Sequence, residues 1–119
     1  MTNIAEQVLV VTGGTSGIGE AFARSFGAEG ASVVIAGRNG EKAQRIASDI
    51  VKAGGKAIGV TCDVTQQSDC YALIAATLAE YGRLDTVFAN HGAAGEIGPL
   101  VRWSDEDVQQ TVNVNLLGT

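Results

Sequence analysis

The sequence predicts an α/β fold, a doubly wound parallel sheet with helices on both faces, and three observations lead there. Four short apolar runs, QVLVVT, ASVVIA, KAIGVT and DTVFA, recur along the chain, bounded by glycine or polar residues. Longer segments between them repeat their apolar residues every three or four positions, the period of a helix with one buried face. A turn dense in glycine joins the first run to the first helical segment. Apolar strands that alternate with amphipathic helices pair in parallel, because each crossover lays a helix on the sheet. Right-handed crossovers leave a doubly wound arrangement as the natural choice.

Taken in order, Gln7–Thr12 reads as a buried strand, short and β-branched. From Gly17 a helix follows, with Ile18, Phe22 and Phe26 on one face and Gly30 as its stop. Ala31–Ala36 is the second strand. The helix Glu41–Ala53 presents Ala43, Ile46, Ala47 and Ile50 to one side and closes at Gly54–Gly55. Lys56–Thr61 is the third strand, and Gln66–Tyr81 a helix expected to turn Ile74, Leu78 and Tyr81 inward, with Gly82 as its cap. Asp85–Ala89 is the fourth strand. A loop from Ala93 to Arg102 leads to a helix with Ser104 as N-cap and Asp105, Glu106 and Asp107 in its first turn, where the helix dipole favours acid. Trp103 and Val108 are placed to form a hydrophobic staple across that start, and an apolar pattern continues over Val112–Leu117.

The totals fit one domain with a real core: 119 residues, 45% hydrophobic and 18% charged, a balance that disordered chains do not have. Net charge is −5 and no block of Lys or Arg stands out, which argues against nucleic acid and anionic membranes as partners. The N-terminal MTNIAEQVLVV lacks the basic and long apolar regions of a signal peptide, and no apolar run approaches a membrane span. Cys62 and Cys70 lack metal-binding or redox spacing, so both are expected to be reduced thiols in a cytoplasmic protein. The single histidine, His91, has no clustered partners, and no metal site is expected.

The turn Gly13-x-x-x-Gly17-x-Gly19 stands where a parallel sheet can hold a pyrophosphate. A helix N-terminus offers free N–H groups and a positive dipole end, and glycine lets the backbone come close. The alternative is a tight turn that binds nothing. About twenty residues further on, an NAD-binding chain usually carries an acid for the ribose 2′-hydroxyl. Here the second strand ends Ile35-Ala36-Gly37-Arg38-Asn39, with a guanidinium and no carboxylate. Arginine can pair a 2′-phosphate through two hydrogen bonds, so NADP is favoured over NAD. The bland reading of Arg38 is a solvated residue before a helix.

Thr12-Gly13-Gly14-Thr15-Ser16-Gly17-Ile18-Gly19 resembles the TGxxxGxG fingerprint of the short-chain dehydrogenases/reductases. Cys62-Asp63-Val64, Ala89-Asn90-His91-Gly92 and Asn113-Val114-Asn115-Leu116-Leu117-Gly118 resemble three further motifs of that family, in the family's order. The resemblance implies a Rossmann-type dinucleotide-binding domain with strand order 3-2-1-4, and an oxidoreductase that moves hydride between nicotinamide and a carbonyl or secondary alcohol. It implies cofactor contacts at Thr12, Gly13, Thr15, Ser16, Gly17, Ile18, Gly19, Arg38, Asp63, Val64, Asn90, His91 and Gly92. Asp63 would accept from the adenine amino group, and Asn115 would be the catalytic residue, holding a water in the proton relay. Each has a simpler reading: Asp63 caps a turn, Asn90 ties strand ends together, and Asn115 bonds a backbone carbonyl.

Two departures from the family pattern stand out. The family's Tyr-x-x-x-Lys pair is absent: Tyr71 and Tyr81 are followed four positions later by Ala75 and Asp85, and the last lysine is Lys56. On the family's plan, these residues are the N-terminal, cofactor-binding part of a longer enzyme. An apolar, uncharged fourth strand left at the sheet edge points the same way. A dinucleotide-binding module without catalysis is the alternative. The second departure is His91, where the family usually has alanine; packing or hydrogen bonding is its expected role. The resemblance also implies a homo-oligomer, dimer or tetramer, of the complete protein, assembled through the helix that begins near Val112.

Overall fold

β-branched residues dominate the first two strands, and the backbone takes them as the centre of a parallel sheet. The computed structural model describes residues 3–94 and 97–119. Its elements are β1 (Val8–Thr12), α1 (Gly17–Ala28), β2 (Ser32–Gly37), α2 (Gly40–Lys52), β3 (Lys56–Thr61), α3 (Gln67–Tyr81), β4 (Thr86–Ala89) and α4 (Asp105–Val112), with a π-helical turn at Asn113–Leu117. The four strands are parallel in the order β3-β2-β1-β4. In register, Val10 lies between Val34 and Val87, and Thr12 between Ala36 and Ala89.

Period-two alternation sorts the strand residues onto two faces. Leu9, Val11, Val33 and Ile35 face α1 and α2, where they meet Ala23, Ala43, Ile46, Ala47 and Ile50. Val10, Val34 and Ala36 face the other way, toward Leu73 of α3 and Cys62. Each fully buried Val, Leu or Ile contributes about 1.5–3 kcal/mol, so β1 and β2, buried throughout, anchor the domain. Phe22 stacks on Phe26 and packs against Phe88 of β4, both at 4.2 Å between ring centres.

The inward face of α2 is the one the periodicity indicates. Two other expectations need correction. Ile18 is 74% exposed, because the first turn of α1 overhangs the end of the sheet and only Phe22 and Phe26 reach the core. On α3 the buried residues are Leu73 and Thr77; Leu78 is exposed, and Ile74 and Tyr81 only half-buried. Thr77 tolerates burial because its hydroxyl donates to Leu73 O at 2.8 Å.

β4 forms one edge of the sheet, with Val87 half exposed. Of the loop before α4, residues 95 and 96 lie outside the described residues. Ser104 and Asp107 form a reciprocal capping box at the start of α4, and Trp103 turns its indole N–H to Gly98 O at 3.4 Å. The apolar pattern after Val112 is a π turn rather than α-helix, closed by Gly118 N–H donating to Asn113 O at 2.8 Å. No helix among the described residues is long and apolar enough to cross a membrane.

Candidate nucleotide site

All four strands end on the same side of the sheet, and the loops that leave them enclose a cleft of about 300 Å³. Ligand sites of open α/β sheets form at such strand ends. Gly13, Thr15 and Ser16 line it from the turn between β1 and α1. Arg38 enters from the end of β2, Asp63 and Val64 follow β3, and His91 and Gly92 follow β4. Thr12, Gly17, Ile18, Gly19, Asn90 and Asn115 do not line the cleft.

The turn is shaped for close approach. Gly13 has φ +62°, and a Cβ there would lie 2.9 Å from His91 Cα. Gly19 is buried beneath the turn, against the Gly13 carbonyl and the Asn90 amide. The first amides of an α-helix lack intrahelical acceptors, and Ser16, the N-cap of α1, makes no side-chain cap bond to them. The N-cap residues of α2 and α4, Asn39 and Ser104, do cap theirs. The first amides of α1, at Gly17, Ile18 and Gly19, are therefore left without a side-chain cap from Ser16. At Gly17 an added Cβ would meet nothing within 4 Å.

Charge is arranged across this opening. Thr65 donates both its hydroxyl, at 2.6 Å, and its amide, at 2.9 Å, to Asp63 Oδ1. With the Arg38 charge nearby, these bonds hold the Asp63 carboxyl below the usual carboxylate range. Arg38 is exposed and forms no ion pair within 4 Å among the described residues. Burial, reinforced by the neighbouring Cys70, pushes the Cys62 thiol up to about 12. Both cysteines are free thiols.

The residues outside the cleft wall brace it. Asn90 Nδ2 donates to Gly13 O at 3.1 Å, joining the end of β4 to the glycine turn. Thr12 is buried behind the wall, 2.7 Å from His91 Nδ1. Asn115 forms a two-point pair with the Ala93 backbone: its Oδ1 accepts from Ala93 N and its Nδ2 donates to Ala93 O, each at 2.8 Å. That pair sets the π turn against the loop after β4. A Cβ on Gly118 would lie 2.9 Å from Val64, so the end of the turn also touches the loop after β3.

Gln110 and Val114 also line the cleft, one helical turn apart. Sequence reasoning missed both, although their four-residue spacing beside Asn115 was a usable signal. Ala93 was equally invisible, since it takes part through its backbone alone.

A sequence profile of the short chain dehydrogenases matches residues 7–119. The chain belongs to that family. It is 38% identical, over its full length, to the 2,5-dichloro-2,5-cyclohexadiene-1,4-diol dehydrogenase of Sphingobium indicum. Two solved structures share the fold. The actinorhodin polyketide ketoreductase with NADPH has a TM-score of 0.89 and 36% identity over 99% of this chain. The 3-ketoacyl-(acyl-carrier-protein) reductase from Brucella melitensis complexed with NADH has a TM-score of 0.88 and 32% identity over 95% of it. The short chain dehydrogenase chain described here spans 46% of the first relative and 45% of each structure.

Proposed function

We propose that this chain forms the cofactor-binding part of an NADP-dependent oxidoreductase that interconverts a carbonyl and a secondary alcohol on a small molecule. The observation that carries the reading is a cleft lined by the Gly13–Ser16 turn that leads into the uncapped start of α1, bordered by Arg38 and without a carboxylate at the end of β2. Relatives with NADPH and with NADH both occur, so the choice of nucleotide rests on this chain's own residues.

The donor set suits a dinucleotide. Gly17, Ile18 and Gly19 N–H groups would receive the pyrophosphate, with the helix dipole adding to the attraction. Thr15 and Ser16 add hydroxyls at its rim. Arg38 would donate to the 2′-phosphate through its guanidinium fork. Asp63 has Oδ1 engaged by Thr65, which leaves Oδ2 to accept from the adenine amino group. Val64 would lie against the base, His91 and Gly92 beside the nicotinamide ribose. Once bound, the cofactor supplies the hydride chemistry. This chain's contribution to the proton step is Asn115, which would help hold a relay water. A homo-oligomer built on the apolar stripe Val108, Val112 and Leu116 of α4 and its π turn belongs to the same proposal. So does a cytoplasmic setting, where the free thiols of Cys62 and Cys70 stay reduced.

The test is a titration of the full chain with NADPH and with NADH, for the parent and for Arg38→Glu. A charge-assisted hydrogen bond is worth about 1.5–3 kcal/mol. NADPH is therefore expected to bind at least roughly tenfold tighter than NADH to the parent, with the preference reversed in the variant. Binding of neither nucleotide would overturn the reading; equal binding in both proteins would overturn the NADP preference alone. The second reading is a dinucleotide-binding module without catalysis. Nucleotide binding without turnover of any carbonyl or alcohol substrate would select it.

A further inference from the structure

His91 follows β4 at the cleft, and its ring is held on both sides. Nδ1 lies 2.7 Å from Thr12 Oγ1 at the end of β1, and Nε2 lies 3.2 Å from Thr119 Oγ1 beyond the π turn. Each hydroxyl also faces a backbone carbonyl: Thr119 Oγ1 is 3.1 Å from Asn115 O, and Thr12 Oγ1 is 3.4 Å from Phe88 O.

Counting protons gives these contacts a direction. A threonine hydroxyl has one proton to donate. Thr119 donates its proton to Asn115 O, so its oxygen must accept from His91, and Nε2 carries the hydrogen. On the other side, Phe88 O already accepts from Asn90 N at 2.9 Å, and the Thr12 hydroxyl is much closer to the ring than to that carbonyl. Thr12 therefore donates to Nδ1. An imidazole with its hydrogen on Nε2 fits these contacts, and Thr12 Oγ1 also accepts from the His91 backbone N–H at 3.4 Å. A directed chain runs from Thr12 through the imidazole and Thr119 to the Asn115 carbonyl.

We propose that His91 is a positioning residue: through Thr119 it holds the π turn, and with it Asn115, at a set distance from the end of β1. The two-point pair between Asn115 and Ala93 fixes the turn to the loop after β4. Among the described residues, the hydrogen-bond path from the turn to β1, the strand that carries the glycine turn, runs through His91. An alanine at this position provides no such tie. The proposal bears on the function given above through Asn115, but its test needs no nucleotide, so the two stand or fall separately.

Side-chain geometry supplies the controls. Glutamine places an amide nitrogen where Nε2 of histidine lies; asparagine places one near Nδ1. Hydrogen exchange would be followed in the full chain at the Gly118 amide, which closes the π turn, and at the Asn115 side-chain amide. One net hydrogen bond corresponds to roughly two- to tenfold in the opening equilibrium. His91→Ala is expected to speed exchange at both groups by that factor while the core amides of Val33 and Ile35 stay unchanged. His91→Gln, which keeps a partner for Thr119 but none for Thr12, should restore part of the protection, and His91→Asn should restore none. Thr119→Val should match His91→Ala, and combining the two should add nothing, as expected for members of one chain. Unchanged exchange in His91→Ala, equal loss in the glutamine and asparagine variants, or acceleration spread through the core would each overturn the proposal.

Discussion

Replacing Gly13 and Gly17 in turn by alanine separates two demands that the glycine turn places on its sequence. Both residues have positive φ, +62° and +55°. A Cβ in that left-handed region costs roughly 1–2 kcal/mol. Their surroundings differ. At Gly13 the new Cβ would lie 2.9 Å from His91 Cα, 3.1 Å from His91 N and 3.3 Å from the Asn90 carbonyl carbon. These are backbone atoms, which cannot rotate aside, and overpacking of this kind costs about 1–3 kcal/mol more. At Gly17 nothing lies within 4 Å. Gly13→Ala should therefore lose roughly 2–5 kcal/mol of stability and Gly17→Ala roughly 1–2 kcal/mol.

Denaturant unfolding of the full chain measures both losses, and nucleotide titration measures the other half of the contrast. The alanine methyl at position 17 would occupy space beside the uncapped amides, so Gly17→Ala should weaken dinucleotide binding at least roughly tenfold, one lost charged hydrogen bond or more. The milder variant for folding is thus the clear test for binding. Equal destabilisation by the two substitutions would refute the packing argument at Gly13. Full affinity in Gly17→Ala would refute the assignment of the open space to a ligand.

Three further outcomes can be checked independently. Asp63 has its folded pKa below the ordinary carboxylate value of about 4 because Thr65 donates to it twice and Arg38 is near. Its stabilisation is complete above that ordinary value and fades as pH falls through the lower folded value. Asp63→Asn should flatten that part of the acid-unfolding curve, and an unchanged acid slope would count against the Thr65 contacts. Ser104→Ala removes the capping box and should cost α4 about 0.5–2 kcal/mol. Exchange at the Asp107 amide should quicken while the global unfolding midpoint holds, because no residue of α4 is buried. Iodoacetamide should alkylate Cys70 well before Cys62, whose buried thiol is pushed up to about 12. Mass spectrometry of a time course would read the order, and faster labelling of Cys62 would contradict its burial.

The elements that sequence reading located best are those whose pattern is enforced locally. On α2, Ala43, Ile46, Ala47 and Ile50 form one narrow apolar stripe among charged neighbours, so only one face can be buried. α3 lacks such contrast: apolar residues lie all around it, and which side turns inward depends on the sheet face that receives it. Leu73 and Thr77 meet that face, and Thr77 qualifies only because Leu73 O accepts its hydroxyl. Ile18 keeps the right period, but the helix begins beyond the end of the sheet, where periodicity has nothing to face. The π turn is similarly hidden, since its wide hydrogen bond and its tie to Ala93 join segments far apart in the chain.

By itself, the sequence determined the order of strands and helices, the parallel sheet with its 3-2-1-4 order, the family and the place of the glycine turn. All follow from residue period, turn chemistry and short motifs, which neighbouring residues encode together. Only the tertiary structure decided what converges at the strand ends: Arg38 near Asp63, Gln110 and Val114 in the cleft wall, and His91 between Thr12 and Thr119, positions 79 and 28 residues away from it. Those meetings depend on strand register and on how each loop leaves the sheet. Local patterns such as the Gln110–Val114 spacing can show which residues share a helix face but not which loops they meet, because the energy that fixes those meetings comes from packing the whole sheet between its helices.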